Sequence, residues 1–176
     1  MLLSHNQLIT LIDAGIISGA KHTAVNSASI DLHLGNKILI EVNSDGVVDY
    51  SKRQRLHMHE VDITHGYILA PGEFILAQSV EVFNLPVDIS GEYKLKSSMA
   101  RIGLEHLNAG WADAGWHGSV LTLEFKNMTQ FHRIQLKAGD AIGQMVFFKH
   151  EPVELDQSYA VRGRYNNDKQ VSGIKP

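Results

Sequence analysis

The segment 96–127, KSSMARIGLEHLNAGWADAGWHGSVLTLEFKN, concentrates the side chains of this chain that could do chemistry. It opens on a cation and paired hydroxyls, Lys96, Ser97 and Ser98, followed by Met99, Ala100, Arg101, Ile102 and Gly103. Small residues and backbone N–H groups beside a cation and two hydroxyls suit a cluster of anionic oxygens such as a phosphate chain, because N–H dipoles and hydroxyl donors can converge on it. A turn-rich middle follows, running Ala109, Gly110, Trp111, Ala112, Asp113, Ala114, Gly115, Trp116. Residues 119–126 then alternate Leu121, Leu123 and Phe125 with Val120, Thr122 and Glu124. That is the pattern of a strand with one apolar face and a single carboxylate, Glu124, on the other. Singly, a strand Glu is a solvated charge, a Ser-Ser pair a turn and a Trp a packing residue. Together, these groups read as an anion-binding site with an acid/base group beside it.

Those side chains need a scaffold. A chain of 176 residues suits one domain with a substantial core. Ser4-x-x-Gln7 is a capping box ahead of Leu8, Leu11 and Ile12, with Gly15 as a stop, and predicts a short N-terminal helix. Residues 29–34 and 37–42 alternate around Gly35-Asn36 and predict two strands joined by a turn. Asn43-Ser44-Asp45-Gly46 predicts another turn, and the polar run 50–59 an irregular connection. From Tyr67 onward short strands at 67–70, 74–83, 89–96, 134–136 and 144–149 are broken by turns. Many short strands at this spacing point to an all-β sandwich or barrel, not a parallel α/β sheet.

Composition narrows the functional classes. A formal charge of −3 gives no general attraction for nucleic acid or membrane. No apolar stretch reaches spanning length, and the N-terminus lacks a signal-peptide pattern. With no cysteine there is no disulfide framework, and a cytoplasmic protein is the expectation. The zinc-dependent nucleobase deaminases use a His or Cys plus two Cys as metal ligands, a cage this chain cannot build. Any deamination here must activate water with a carboxylate and oriented donors. His57 and His59 would share a strand face, but no third ligand lies nearby in sequence, so no metal site is assigned. The remaining histidines read as solvated or hydrogen-bonded.

The run Ser97-Ser98-Met99-Ala100-Arg101, then Ala109-Gly110-Trp111-Ala112-Asp113, Gly115-Trp116-x-Gly118 and Leu123-Glu124, resembles the signature of dCTP deaminases, members of the trimeric dUTPase superfamily. Residues Gly139 through Gln144 and Arg164-Tyr165-Asn166-Asn167 resemble the family's later turn-and-strand motif and its C-terminal tail. The likeness covers most of the chain and is strongest from Ile89 onward. It implies a distorted jelly-roll-like β-barrel that assembles as a homotrimer with sites between subunits. It also implies one dCTP deaminase-like domain over 1–176, in which 160–176, polar and basic at its start, forms a lid.

The resemblance also implies roles. Glu124 matches the general base, Ser97 and the Ala109 carbonyl match groups that orient the attacking water, and Arg101 matches the arginine near the reacting centre. Lys96, Ser98, Met99 and Ala100 match the phosphate-binding turn, with Lys96 where many relatives carry Arg. Asp113 matches the residue that meets the deoxyribose, and Thr122 and Leu123 match the strand whose backbone reads the pyrimidine edge. Gln144, Tyr159 and Arg164 match positions that close on the triphosphate, while Asp168 stands where many relatives have Gln. Mg²⁺ carried by the phosphates, no zinc, and dTTP as a candidate inhibitor complete the implied picture.

The leading expectation is a deaminase that converts dCTP to dUTP and ammonia. One alternative is a bifunctional enzyme that goes on to dUMP and pyrophosphate, which Ala109-Gly110-Trp111 resembles more. A dUTPase alone, or a non-catalytic nucleotide-binding regulator on the same scaffold, are the others. The spacing from Asp113 to Glu124 is one residue longer than the family pattern, and that from Arg101 to Ala109 one shorter.

Overall fold

Alternating burial along the strands drives the chain into one curled antiparallel sheet. The computed structural model describes residues 1–44 and 46–175. Among these, helix α1 (His5–Asp13) leads into β1 (Ile17–Ser18), β2 (Ile30–Glu41), β3 (Met58–Asp62), β4 (Tyr67–Leu69), β5 (Phe74–Asn84) and β6 (Ile89–Leu95). Helix α2 (Ser97–Arg101) follows, then β7 (Leu104–His106), β8 (Trp111–Ala112), β9 (His117–Asn127), β10 (Ile134–Leu136), β11 (Ala141–Lys149) and α3 (Tyr159–Arg162). The main sheet runs β7-β9-β5-β2-β11-β6-β8, with β1 added on β5 and β3 on β2, while β10 and β4 form a separate pair. It is a mostly β fold, an open half-barrel with a short N-terminal helix. Its hollow is filled by a core that includes Leu32, Leu34, Ile38, Phe83, Phe125 and Phe147.

The capping box forms, with the Ser4 N–H donating to Gln7 Oε1 at 3.0 Å, and Leu8 and Leu11 bury the inner face of α1. The turn expected at Gly35-Asn36 does not. β2 runs straight through it, pairing with β11 by its first half and with β5 and β3 by its second. The register with β5 slips between Leu34 and Ile38, so the dipeptide is a bulge. A Cβ on Gly35 would come within 2.7 Å of Gln78 Cγ, so the glycine admits its neighbour's side chain. Alternation on either side of a Gly-Asn pair is the same for a hairpin and for a bulged strand, and only the partner strand distinguishes them.

Ser97 and Ser98 open a helical turn, with the Met99 and Ala100 N–H groups donating to the Lys96 carbonyl. One smaller expectation also changes. Within 50–59, Tyr50–Lys52 form a 3₁₀ turn and β3 starts at Met58. Of the turn expected at 43–46, Asp45 lies outside the described residues. No helix among the described residues is long and apolar enough to cross a membrane.

β11 passes beneath Tyr93 at Gly143, where a Cβ would overlap the tyrosine ring. Gly143→Ala is therefore expected to cost about 1–3 kcal/mol by overpacking. A lower urea midpoint at unchanged slope would show it.

Candidate active site

β9 sets the site. Its ladder with β5 opposes Leu76 to Glu124, Ala77 to Leu123 and Gln78 to Thr122. Leu121, Leu123 and Phe125 then enter the core, while Thr122 and Glu124 line a cleft of about 450 Å³ on the other face. The turn-rich segment before β9 supplies Ala109, Trp111 and Asp113 to the same cleft, and α3 supplies Tyr159. β8 pins that segment by pairing Trp111 with Glu92 and Ala112 with Gly91 of β6. The Trp111 indole N–H donates to Asp113 Oδ1 at 2.8 Å and its ring stacks over Phe148, which orients the carboxylate at the rim. Burial, with the negative charges of Asp113 and Asp168 adding, holds the Tyr159 phenol above its ordinary range.

Behind Glu124 stands a residue the sequence reading passed over. His106, on β7, is 6% exposed, and its Nε2 lies 3.4 Å from Glu124 Oε2. Neither atom has a hydrogen-bond partner among the described residues. The imidazole sits 4.5 Å from the Tyr93 ring and meets Phe125 edge-on, and its Nδ1 accepts the Asn108 N–H at 3.2 Å. Burial first, and the Glu124 charge second, push the Tyr93 phenol well above its ordinary range. The alternation of Leu104 and His106 with exposed Glu105 was the available signal, since it places the histidine on the inward face of a strand.

The other expected site residues lie elsewhere on this chain. Lys96 reaches back to Asp31, with Nζ 2.5 Å from Oδ2, so its charge is already paired. Gln144 accepts from Ser29 Oγ at 3.0 Å. Ser97, Ser98, Ala100 and Arg101 are exposed on α2 and Met99 is partly buried; Arg101 borders a separate groove of about 600 Å³ with Arg133. Leu123 offers only its backbone, because its side chain is fully buried. Arg164 is exposed, and what it contributes here is a carbonyl that accepts from Lys175 Nζ. Among the described residues, no group of three or more His, Asp or Glu side chains is placed to hold a metal ion.

The tail is better anchored than its composition suggested. The Trp116 indole N–H and the Ser119 hydroxyl both donate to the Tyr165 carbonyl at 2.8 Å. The Asn167 N–H donates to His117 O, and the Val120 N–H to Asp168 O at 2.9 Å. The tail thus docks along the start of β9 by a mixture of main-chain and side-chain bonds, which composition does not report. Beyond it Val171 is buried, with its N–H bonded to Gln78 Oε1, and Lys175 pairs with Asp168. Tyr165, Asp168, Ser172, Gly173 and Ile174 complete the wall of the cleft.

A family profile described as dCTP deaminase-like matches residues 2–150. The "dCTP deaminase, dUMP-forming" of Methanosphaerula palustris is 36% identical over 146 residues, covering 82% of this chain and 77% of that protein. The protein of the same name from Methanospirillum hungatei is 32% identical over 176 residues, covering 98% of this chain and 94% of its own. The crystal structure of 2'-deoxycytidine 5'-triphosphate deaminase from Agrobacterium tumefaciens superposes with a TM-score of 0.69 at 27% identity. That match covers 85% of this chain, which spans about half (48%) of the Agrobacterium chain.

Because Val171 is the buried anchor of the tail, Val171→Asp is expected to detach it, since a carboxylate is not accommodated there without a partner. Limited trypsin digestion would then cut faster at Arg164 and Lys169, with the thermal melt of the sheet little changed.

Proposed function

The chain belongs to the dCTP deaminase-like family and is an enzyme, and on that premise we propose that it converts dCTP to dUMP, pyrophosphate and ammonia in a single site. The expectation of a deaminase that releases dUTP is corrected by the relatives similar over most of the chain, whose shared name is dUMP-forming. That name is the observation that carries the proposal. The placement of Glu124 and Asp113 in one cleft supports it, because two hydrolytic steps then have a carboxylate each.

In the first step Glu124 takes a proton from water as its oxygen bonds to C4 of cytosine. The C4–N bond then breaks as that proton is passed to the leaving amine, giving ammonia and a uracil ring. Ser97 and the Ala109 carbonyl orient the water, and the fixed charge of Arg101 favours the ionised carboxylate. Thr122 and the Leu123 backbone read the pyrimidine edge, and Asp113 meets the deoxyribose. In the second step a water assisted by Asp113 attacks the α-phosphorus, and the bond to the pyrophosphate oxygen breaks. Lys96, Ser98, the Met99 and Ala100 amides, Gln144, Tyr159 and Arg164 hold the phosphates, with Lys96 exchanging Asp31 for substrate. Mg²⁺ riding on the triphosphate would supply charge neutralisation there and need few protein ligands. The segment 160–176 acts as a lid that excludes water, and dTTP, with a uracil-type edge, competes for the same cleft.

One chain does not carry all these groups on one surface. Ala109, Asp113, Thr122, Glu124 and Tyr159 line the cleft, whereas the α2 residues and Gln144 lie outside it. This division supports a homotrimer in which a second copy brings α2 to the cleft of the first.

Chromatography of the products from dCTP with Mg²⁺ tests the reaction: dUMP, pyrophosphate and ammonia are expected, and accumulating dUTP or no turnover would overturn it. Glu124→Gln should lower ammonia release by about 10²–10⁴-fold with nucleotide still bound, whereas Asp113→Asn should let dUTP build up. For the shared site, Ser97→Ala and Glu124→Gln proteins that are each inactive should regain activity after their subunits are mixed and exchanged. No recovery in proven mixed trimers would place the site within one chain.

A further inference from the structure

Three buried side-chain polar atoms lack a partner among the described residues: His106 Nε2, Glu124 Oε2 and Ser172 Oγ. Two of them face each other. An unsatisfied buried donor or acceptor costs about 1–3 kcal/mol, so their pairing in the wall of the cleft calls for an account.

The tautomer follows from the backbone. Nδ1 of His106 accepts the Asn108 N–H, so Nδ1 carries no proton and a neutral ring must carry its proton on Nε2. Asn108 is, among the described residues, one of three non-glycine residues with positive φ, at 62°, and its N–H turns back onto the ring two residues before it. Tyr93 packs on the imidazole and Phe125 closes its edge. The titratable groups facing the ring are the Glu124 carboxylate on β9 and the Tyr93 phenol on β6, whose hydroxyl donates to the Ile142 carbonyl at 3.4 Å.

Resting on the reading of Glu124 as the base, we infer that His106 is its positioning residue. The neutral ring presents Nε2–H to Oε2 and leaves Oε1 to the water and the leaving amine. A neutral donor orients the carboxylate without the loss of basicity that a fixed cation in that place would impose. The 3.4 Å separation is longer than a formed hydrogen bond, and such contacts tighten when substrate fills the site. Within this arrangement Asn108 selects the tautomer, the ring fixes the carboxylate, and the carboxylate moves the proton.

His106→Phe keeps a ring between Tyr93 and Phe125 but removes the donor. It should lower kcat for ammonia release from dCTP roughly 10²-fold through misplacement of the base, with KM near the wild-type value. His106→Gln, which returns an amide N–H near the Nε2 position, should recover most of that loss. A Phe variant with wild-type kcat, or Phe and Gln variants equally slow, would overturn the inference. If the Phe variant does not fold, ¹⁵N NMR of the wild-type imidazole decides: a neutral ring protonated on Nε2 supports it, and a proton on Nδ1 or a charged ring overturns it. Wild-type protein that forms no ammonia from dCTP would instead defeat the proposed reaction, leaving the tautomer measurement to stand by itself.

Discussion

The antiparallel ladder between β5 and β9 is the constraint on which the cleft depends. It drives Leu121, Leu123 and Phe125 into the core, each contributing about 1.5–3 kcal/mol by burial, and so obliges Thr122 and Glu124 to face the other way. A slip of one residue would exchange Leu123 for Glu124 and put a carboxylate in the core. Apolar burial on one face therefore positions the Glu124 carboxylate on the other. β8 and the docked tail then close the walls around it.

The sheet treats its fully buried Glu81 and its partly buried Glu124 differently. Glu81 is fully buried where β5 bulges, yet it is satisfied: the His33 N–H reaches Oε2 at 3.0 Å and the His33 ring lies 2.8 Å from Oε1. Ser79 mends the same bulge by accepting the Leu121 N–H and donating to the Glu81 carbonyl. At Glu124 the groups are present but the bonds are not made. The fold thus satisfies the Glu81 carboxylate and leaves Glu124 Oε2 without a partner among the described residues.

Much of this was legible in the chain. The Ser4–Gln7 capping box and the strand at 119–126, with Glu124 on its outer face, rest on short-range pattern, which survives folding intact. The Gly35-Asn36 turn failed because local alternation does not reveal whether the chain reverses or stays in register with a distant strand. His106 escaped notice because a histidine on a short strand resembles a surface residue until its neighbours, Tyr93 and Glu124, are brought in from elsewhere. The tail looked unanchored because polar groups, main-chain and side-chain alike, hold it to β9, and a polar composition reads the same whether such groups meet water or the sheet.

The sequence by itself determined the class of fold and the absence of any cysteine for a zinc cage, and it marked out 96–127 as the segment richest in polar and titratable side chains near a turn, because these depend on periodicity and residue type alone. Only the tertiary structure decided which of those residues share a surface. It paired Lys96 with Asp31, left α2 outside the cleft and set His106 against Glu124. The physical reason is that proximity between strands far apart in sequence is fixed by sheet register and burial, and neither is written in any local stretch of the chain.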